Sequence, residues 1–203
     1  MKNASLAILT CVLLAPFGTI AAQDLAAIAE NCDGCHGENG VSQWDDMPTI
    51  AGIDAFSHSE ALFIYKDGDR ACNDSEYRTG DTSRAATNMC QVAGALDDDQ
   101  IEAVSAHYEA LPFVPAKQDF DAALAEKGAA IHDAECSRCH SDGGSNADDE
   151  ASIIAGQWMG YLRTSFEQYA AGERPQDSKM QEKMDPLSAD DVEALLHYYA
   201  SQQ

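Results

Sequence analysis

Cys32-Asp33-Gly34-Cys35-His36 returns later in the chain, with its inner residues changed, as Cys136-Ser137-Arg138-Cys139-His140. Two cysteines three positions apart, with a histidine directly after the second, form the attachment pattern of a c-type haem. The chemistry requires that spacing. Each thiol adds to one vinyl group of the same porphyrin, and one helical turn brings both sulfurs to its edge. The next residue then carries its imidazole under the iron as proximal ligand. Cys32, Cys35, Cys136 and Cys139 are thus candidates for attaching two covalently bound haem c groups, with His36 and His140 as candidate iron ligands. Two rival readings fit less well. Ribbon-type zinc sites separate their C-x-x-C pairs by roughly 15–20 residues, whereas these lie 104 positions apart. A thioredoxin-like dithiol follows a strand in a βαβ pattern, and no strand pattern precedes either motif.

The repeat extends beyond the motifs. At the same offset of 104, Ile50-Ala51-Gly52 falls on Ile154-Ala155-Gly156, and Tyr65, Gly68 and Arg70 fall on Tyr169, Gly172 and Arg174. Further on the offset is 91: Met89 falls on Met180, Leu96 on Leu187, Asp99 on Asp190 and Tyr108 on Tyr199. The chain therefore reads as two copies of one module, the first carrying 13 extra residues between Arg70 and Met89. Domains are expected over 23–111 and 119–203, joined by a linker over 112–118 whose two prolines, Pro112 and Pro115, stop the preceding helix. Each module reads as helical. Helices are expected over 24–31 and 120–135 before the motifs, over 55–66 and 158–171 in the middle, and over 97–111 and 188–201 at the close. The closing segments begin with the capping residues Asp97 and Ser188 and place apolar residues at helical spacing, as in Ile101, Val104 and Tyr108. No alternating strand pattern stands out, so the fold class is all-α: two tandem modules, each wrapped around one haem.

A histidine-ligated haem that carries electrons needs a sixth ligand. Methionine is the usual partner, and its thioether raises the potential. Downstream of the first motif stand Met47, Met89, Met159, Met180 and Met184. A ligand should have an equivalent in both modules, and only Met89 and Met180 pair, each seven residues before the leucine that precedes the closing helix. Met184, one turn beyond Met180, competes with it. Met47 and Met159 are expected to be packing residues. His58, His107, His132 and His197 have no repeat partners and read as surface or packing histidines, with a His-ligated second haem as the alternative. Cys72 and Cys90 remain. In an oxidising compartment two leftover cysteines pair, closing a loop of about 19 residues that restricts the unfolded chain by roughly 3 kcal/mol. A redox-active or metal-binding pair is the other reading.

The chain opens with Met1-Lys2, an apolar run from Ala4 to Pro16, and Ala21-Ala22. This reads as a secretory signal over 1–22, too short in its apolar core for a membrane-spanning helix, with Cys11 inside it. The alternative is an uncleaved anchor. Export places the protein in the periplasm, where disulfides persist. With Lys2 removed, 11 basic residues stand against 35 acidic ones, a net charge of −24. Such a surface argues against nucleic acid and for a basic or polar docking partner. The first module is the more negative, with 18 acidic and 4 basic residues over 23–114 against 17 and 7 over 115–203. On charge alone, the first module is expected to meet the downstream carrier.

With both motifs and both methionines placed, the chain resembles the tandem dihaem class I cytochromes c, and more narrowly the cytochrome subunit of flavocytochrome c sulfide dehydrogenase. The narrower likeness lies in Pro115-Ala116-Lys117-Gln118-Asp119-Phe120-Asp121, Ala155-Gly156-Gln157-Trp158, Glu173-Arg174-Pro175 and the ending Tyr199-Ala200-Ser201-Gln202-Gln203. The resemblance implies a heterodimer. A flavin-containing sulfide dehydrogenase subunit oxidises sulfide, and the dihaem subunit, not itself catalytic on substrate, passes the electrons to a soluble cytochrome or an oxidase. It also implies His/Met ligation of both irons, by His36 with Met89 and His140 with Met180. The insertion carrying Cys72 and Cys90 departs from that family. A free-standing dihaem carrier to a terminal oxidase is the alternative function, and a dihaem enzyme with an open axial position the third.

Overall fold

The computed structural model describes residues 22–203. The expected leader, Cys11 included, lies outside the described residues but for its last position, Ala22. Among the described residues no helix is long and apolar enough to cross a membrane.

The first module runs α1 (Ala22–His36), α2 (Ala55–Asp67), α3 (Met89–Gly94) and α4 (Asp98–Glu109). The second repeats the order as α5 (Ala122–Ile131), α6 (Met159–Ala171), α7 (Ser178–Met184) and α8 (Ala189–Ala200). Short 3₁₀ turns at Glu38–Gly40, Asp142–Gly144 and Ala147–Asp149 fill the loops after the motifs. Strand pairing among the described residues is confined to one isolated bridge, Ser75 to Thr87.

Local chemistry sets the helix ends. Asp97 and Gln100 form a reciprocal capping box at the start of α4, and Ser188 and Asp191 form one at α8. Asp54 and Asp121 cap α2 and α5 through their side chains. Left-handed Gly68 and Gly172 end α2 and α6. Two differences from the sequence expectation stand out. The first-motif helix does not stop at Asn31 but continues through the motif to His36. The short helices α3 and α7 were not foreseen, since six and seven residues are too few to show a period.

The duplication is visible in the backbone. Ile50 and Ala51 both donate to the Gly40 carbonyl, and Ile154 and Ala155 both donate to that of Gly144. Gly52 donates to the Tyr108 carbonyl and Gly156 to that of Tyr199, tying each middle loop to the closing helix. One apolar core gathers Ile50, Leu62, Ile101, Val104 and Tyr108; the other gathers Leu162, Leu195, Leu196 and Tyr199.

The modules are joined through buried polar contacts. Gln157, 1% exposed, accepts from the Thr49 amide at 3.1 Å and donates to the Thr49 carbonyl at 2.6 Å. Trp158 Nε1 donates to the Ser42 carbonyl at 3.0 Å, and the Tyr161 amide donates to that of Asp45 at 2.7 Å. On another side, the Ala71 amide donates to the Glu173 carbonyl at 2.9 Å. The linker threads alongside: the Ala116 amide donates to the Gly156 carbonyl.

α5 packs closely on α8 because Gly128 lets the backbones meet; a Cβ there would strike the Ala194 carbonyl and lie 2.7 Å from Tyr198 Cβ. Gly128→Ala should therefore lower urea stability by about 1–3 kcal/mol through overpacking. Gly94→Ala, where a Cβ meets nothing within 4 Å, should leave it within about 0.5 kcal/mol. Gln157→Leu strands both buried backbone groups of Thr49, at about 1–3 kcal/mol for each. In calorimetry it should split the unfolding of the holoprotein into two transitions.

Candidate haem-binding sites

At the first motif, the last turn of α1 presents Cys32, Cys35 and His36 together. His36 is buried, and its Nδ1 lies 3.0 Å from the Pro48 carbonyl oxygen. A carbonyl can only accept, so Nδ1 carries the proton and Nε2 keeps its lone pair for a metal. Burial pushes the imidazole pKa down, which keeps the ring neutral. Cys32 packs against the first core, as does Met89, the opening residue of α3. Burial, reinforced by Asp33, pushes its thiol up to about 12. Tyr108 Oη lies 2.8 Å from Asp33 Oδ1 and 3.1 Å from the Ala29 carbonyl, holding α1 to α4.

The second motif is built differently. After Ile131 the helix widens into a π-turn over His132–Cys136, and residues 137–139 form a turn beyond it, the Cys139 and His140 amides both donating to the Cys136 carbonyl. His132 is fully buried: its Nδ1 faces the Tyr199 hydroxyl at 3.1 Å, and its ring packs on Tyr198 and Tyr199. It is a packing histidine, not a surface one. Ser152 stands where the repeat places Pro48, and among the described residues the His140 ring has no hydrogen-bond partner. His140 is half-buried; burial, then the neighbouring His132, lowers its pKa. The following loop is fixed by Asp149, which accepts from the Ser141 amide at 2.6 Å and hydroxyl at 2.8 Å.

Met180 and Met184 lie one turn apart on α7, both half-buried. The second core takes in Cys136 and Met159 but neither of these two. Met159 is thus a packing residue. Measured back from the caps, Met180 lies eight residues before Ser188, as Met89 lies eight before Asp97.

Cys72 and Cys90 form a disulfide with a Cα separation of 5.9 Å. It closes the base of the insertion, whose tip folds onto the first motif. Between the modules lies a cluster that the sequence reading did not single out, although its members repeat. Arg70 stacks on Tyr65 at 4.6 Å and Arg174 on Tyr169 at 4.5 Å. Tyr161 joins them. Burial pushes its phenol up, but the Arg174 and Arg70 guanidiniums outweigh this and bring it down to about 7. Arg70 is buried, and its Nε has no hydrogen-bond partner among the described residues.

These features suit haem attachment. Each module offers two free cysteines and an imidazole, and a buried, under-partnered guanidinium suits the carboxylates that a haem carries. The signal for that cluster was the repeated Tyr-x₄-Arg pairing; nothing local marked Pro48 or Gln157.

Residues 22–111 match the family model described as cytochrome c, and residues 123–198 match that of cytochrome C oxidase, cbb3-type, subunit III. A thiosulfate dehydrogenase electron acceptor from Stutzerimonas stutzeri is 28% identical over 182 residues, covering 84% of this chain and 78% of that protein. Cytochrome c4 from Pseudomonas stutzeri superposes with a TM-score of 0.71 at 23% identity, over 90% of this chain and 98% of that one. Thiosulfate dehydrogenase from Marichromatium purpuratum gives 0.69 at 25% identity, over 89% of this chain but 40% of that one. With two such modules side by side on an all-α frame, the chain is a tandem dihaem cytochrome c with one covalent haem c in each domain.

Proposed function

We propose that this chain is a free-standing periplasmic dihaem electron carrier that serves the oxidation of a reduced sulfur compound, thiosulfate before sulfide. The observation that carries the reading is the interlocked joint between two haem modules, built from Gln157, Thr49 and the Arg70/Arg174 cluster. A fixed joint holds two redox centres at one separation, which is what a two-centre carrier needs. The likeness to a protein named as a thiosulfate dehydrogenase electron acceptor points to the donor. The reading as a subunit bound to a flavin-containing sulfide dehydrogenase is supported only by the resemblance of residues 115–203, and it takes second place.

When bound, haem iron supplies one-electron exchange. In this reading Cys32 with Cys35, and Cys136 with Cys139, hold the two groups by thioether bonds. His36, oriented by the Pro48 carbonyl, and His140 would each supply a ring nitrogen to the iron. Met89 and Met180 would each supply a thioether sulfur to one iron, which favours electron exchange over substrate chemistry. Gln157, buried at the joint and bonded to both backbone groups of Thr49, excludes water from the contact between the two modules.

A redox titration of the holoprotein should show two one-electron steps. A thiosulfate dehydrogenase supplied with thiosulfate should reduce both haems faster than a flavoprotein supplied with sulfide; the reverse order would restore the flavoprotein reading. Met89→Ala should lower one potential and Met180→Ala the other, each with loss of the weak methionine–iron absorption in the far red. Met184→Ala should change neither. A loss at Met184 and not at Met180 would reassign the second ligand.

A further inference from the structure

The two attachment motifs are not equally open. The insertion after Arg70 is latched at its base by the Cys72–Cys90 disulfide and by paired backbone bonds between Ser75 and Thr87 at 2.7 and 2.9 Å. Its tip lies on the two residues between the first pair of cysteines. The Arg78 and Thr79 amides both donate to the Gly34 carbonyl, at 2.7 and 3.1 Å, and the Thr79 hydroxyl donates to that of Asp33 at 2.7 Å. The Glu76 carbonyl lies 3.8 Å from Cys35 Sγ. The Tyr77 ring covers Gly34 so closely that a Cβ there would come within 2.6 Å of it.

The tip is also fastened at its flanks. Tyr77 donates to Asn31 Oδ1 at 3.0 Å, and Arg84 donates to both and stacks on Tyr77 at 3.7 Å. Arg78 makes a two-pronged pair with Asp46 at 2.6 Å and lies over Trp44. As a result Gly34 is buried and Cys35 half-buried. The second module has no counterpart. Five residues separate Arg174 from Met180, and Arg138 and Cys139, which match Gly34 and Cys35, are both exposed.

We propose that the Cys72–Cys90 insertion is a lid over the thioether edge of the first haem, and that external partners therefore dock at the second module, on the open edge formed by Ser137, Arg138 and Cys139. This extends the carrier reading above. The fold thereby separates an internal haem, reached through the joint, from an external one that meets solvent-borne proteins. The partner fitting the open edge is a small basic redox protein. Between residues 133 and 150 six carboxylates stand against one guanidinium, Arg138; nearby Lys183 offsets one of the six, Glu135, at 2.8 Å. The greater negative charge of the first module does not decide the docking face, because a layer of backbone lengthens the electron path there.

Matched charge reversals test this on the holoprotein, with a basic monohaem cytochrome c as probe. Asp133→Lys alters the open edge and Glu76→Lys alters the lid, and both side chains are exposed. At low ionic strength Asp133→Lys should slow the second-order electron exchange by about five- to tenfold, while Glu76→Lys should change it by less than about twofold, as expected when charge steers encounter only at the docking face. Carbodiimide cross-links to probe lysines should map by mass spectrometry to residues 133–150 and not to 74–81. An equal or larger effect at Glu76, no effect at either position, or cross-links centred on 74–81 would overturn the lid. Oxidation of both variants by ferricyanide tests the carrier reading separately: if neither they nor the parent exchange electrons even with that small reagent, it is the carrier reading that fails.

Discussion

One buried side-chain amide sits at the centre of the contact between the two halves. Gln157 meets both backbone groups of Thr49 across the joint, in a place that excludes solvent. Inside a protein a fully paired amide of this kind is geometrically exacting, and losing one partner costs far more than the pair contributes in water. The bond therefore fixes orientation more than it adds stability. Everything that depends on the relation of the two haem modules, from the Arg–Tyr cluster to the linker lying against Gly156, inherits that orientation.

The sequence was most legible where chemistry dictates spacing. The motif Cys-x-x-Cys-His is short, rigid in its demands and repeated, so the haem modules and their order could be read at once. The closing helices were legible because Asp97 and Ser188 start them with strong caps. Legibility ended where tertiary contact overrides local pattern. The two motifs share the same cysteine and histidine spacing, yet one ends a regular helix and the other starts inside a π-turn, where His132 turns inward to meet Tyr199. The insertion read as an acidic loop pinned at its base; that its tip would fold back on Gly34 depends on Tyr77, Arg78 and Thr79 meeting a surface 41 to 46 residues away.

The narrower resemblance pointed away from the better-supported function. The likeness of residues 115–203 to a flavoprotein-bound cytochrome drew on short stretches around the linker and the last helix, and several of those residues turn out to serve the joint. Gln118 donates to the Gln157 carbonyl and accepts from the Met159 amide, and Gln203 donates to the Gln118 carbonyl. Such residues report how two modules are fastened, not which donor they serve. Net charge is a coarse guide for a similar reason, since it is summed over a surface while electron exchange occurs at one edge.

The contacts that close the joint link positions 108 and 116 residues apart, Thr49 to Gln157 and Ser42 to Trp158. Contacts so distant along the chain form late, after each half has collapsed on its own short-range helices. The arginine–tyrosine pairs fit that order, because Arg70 stacks on Tyr65 and Arg174 on Tyr169, each within its own module. Assembly is thereby hierarchical: each half brings a finished pair to the seam, and the long-range bonds then lock two prepared surfaces together.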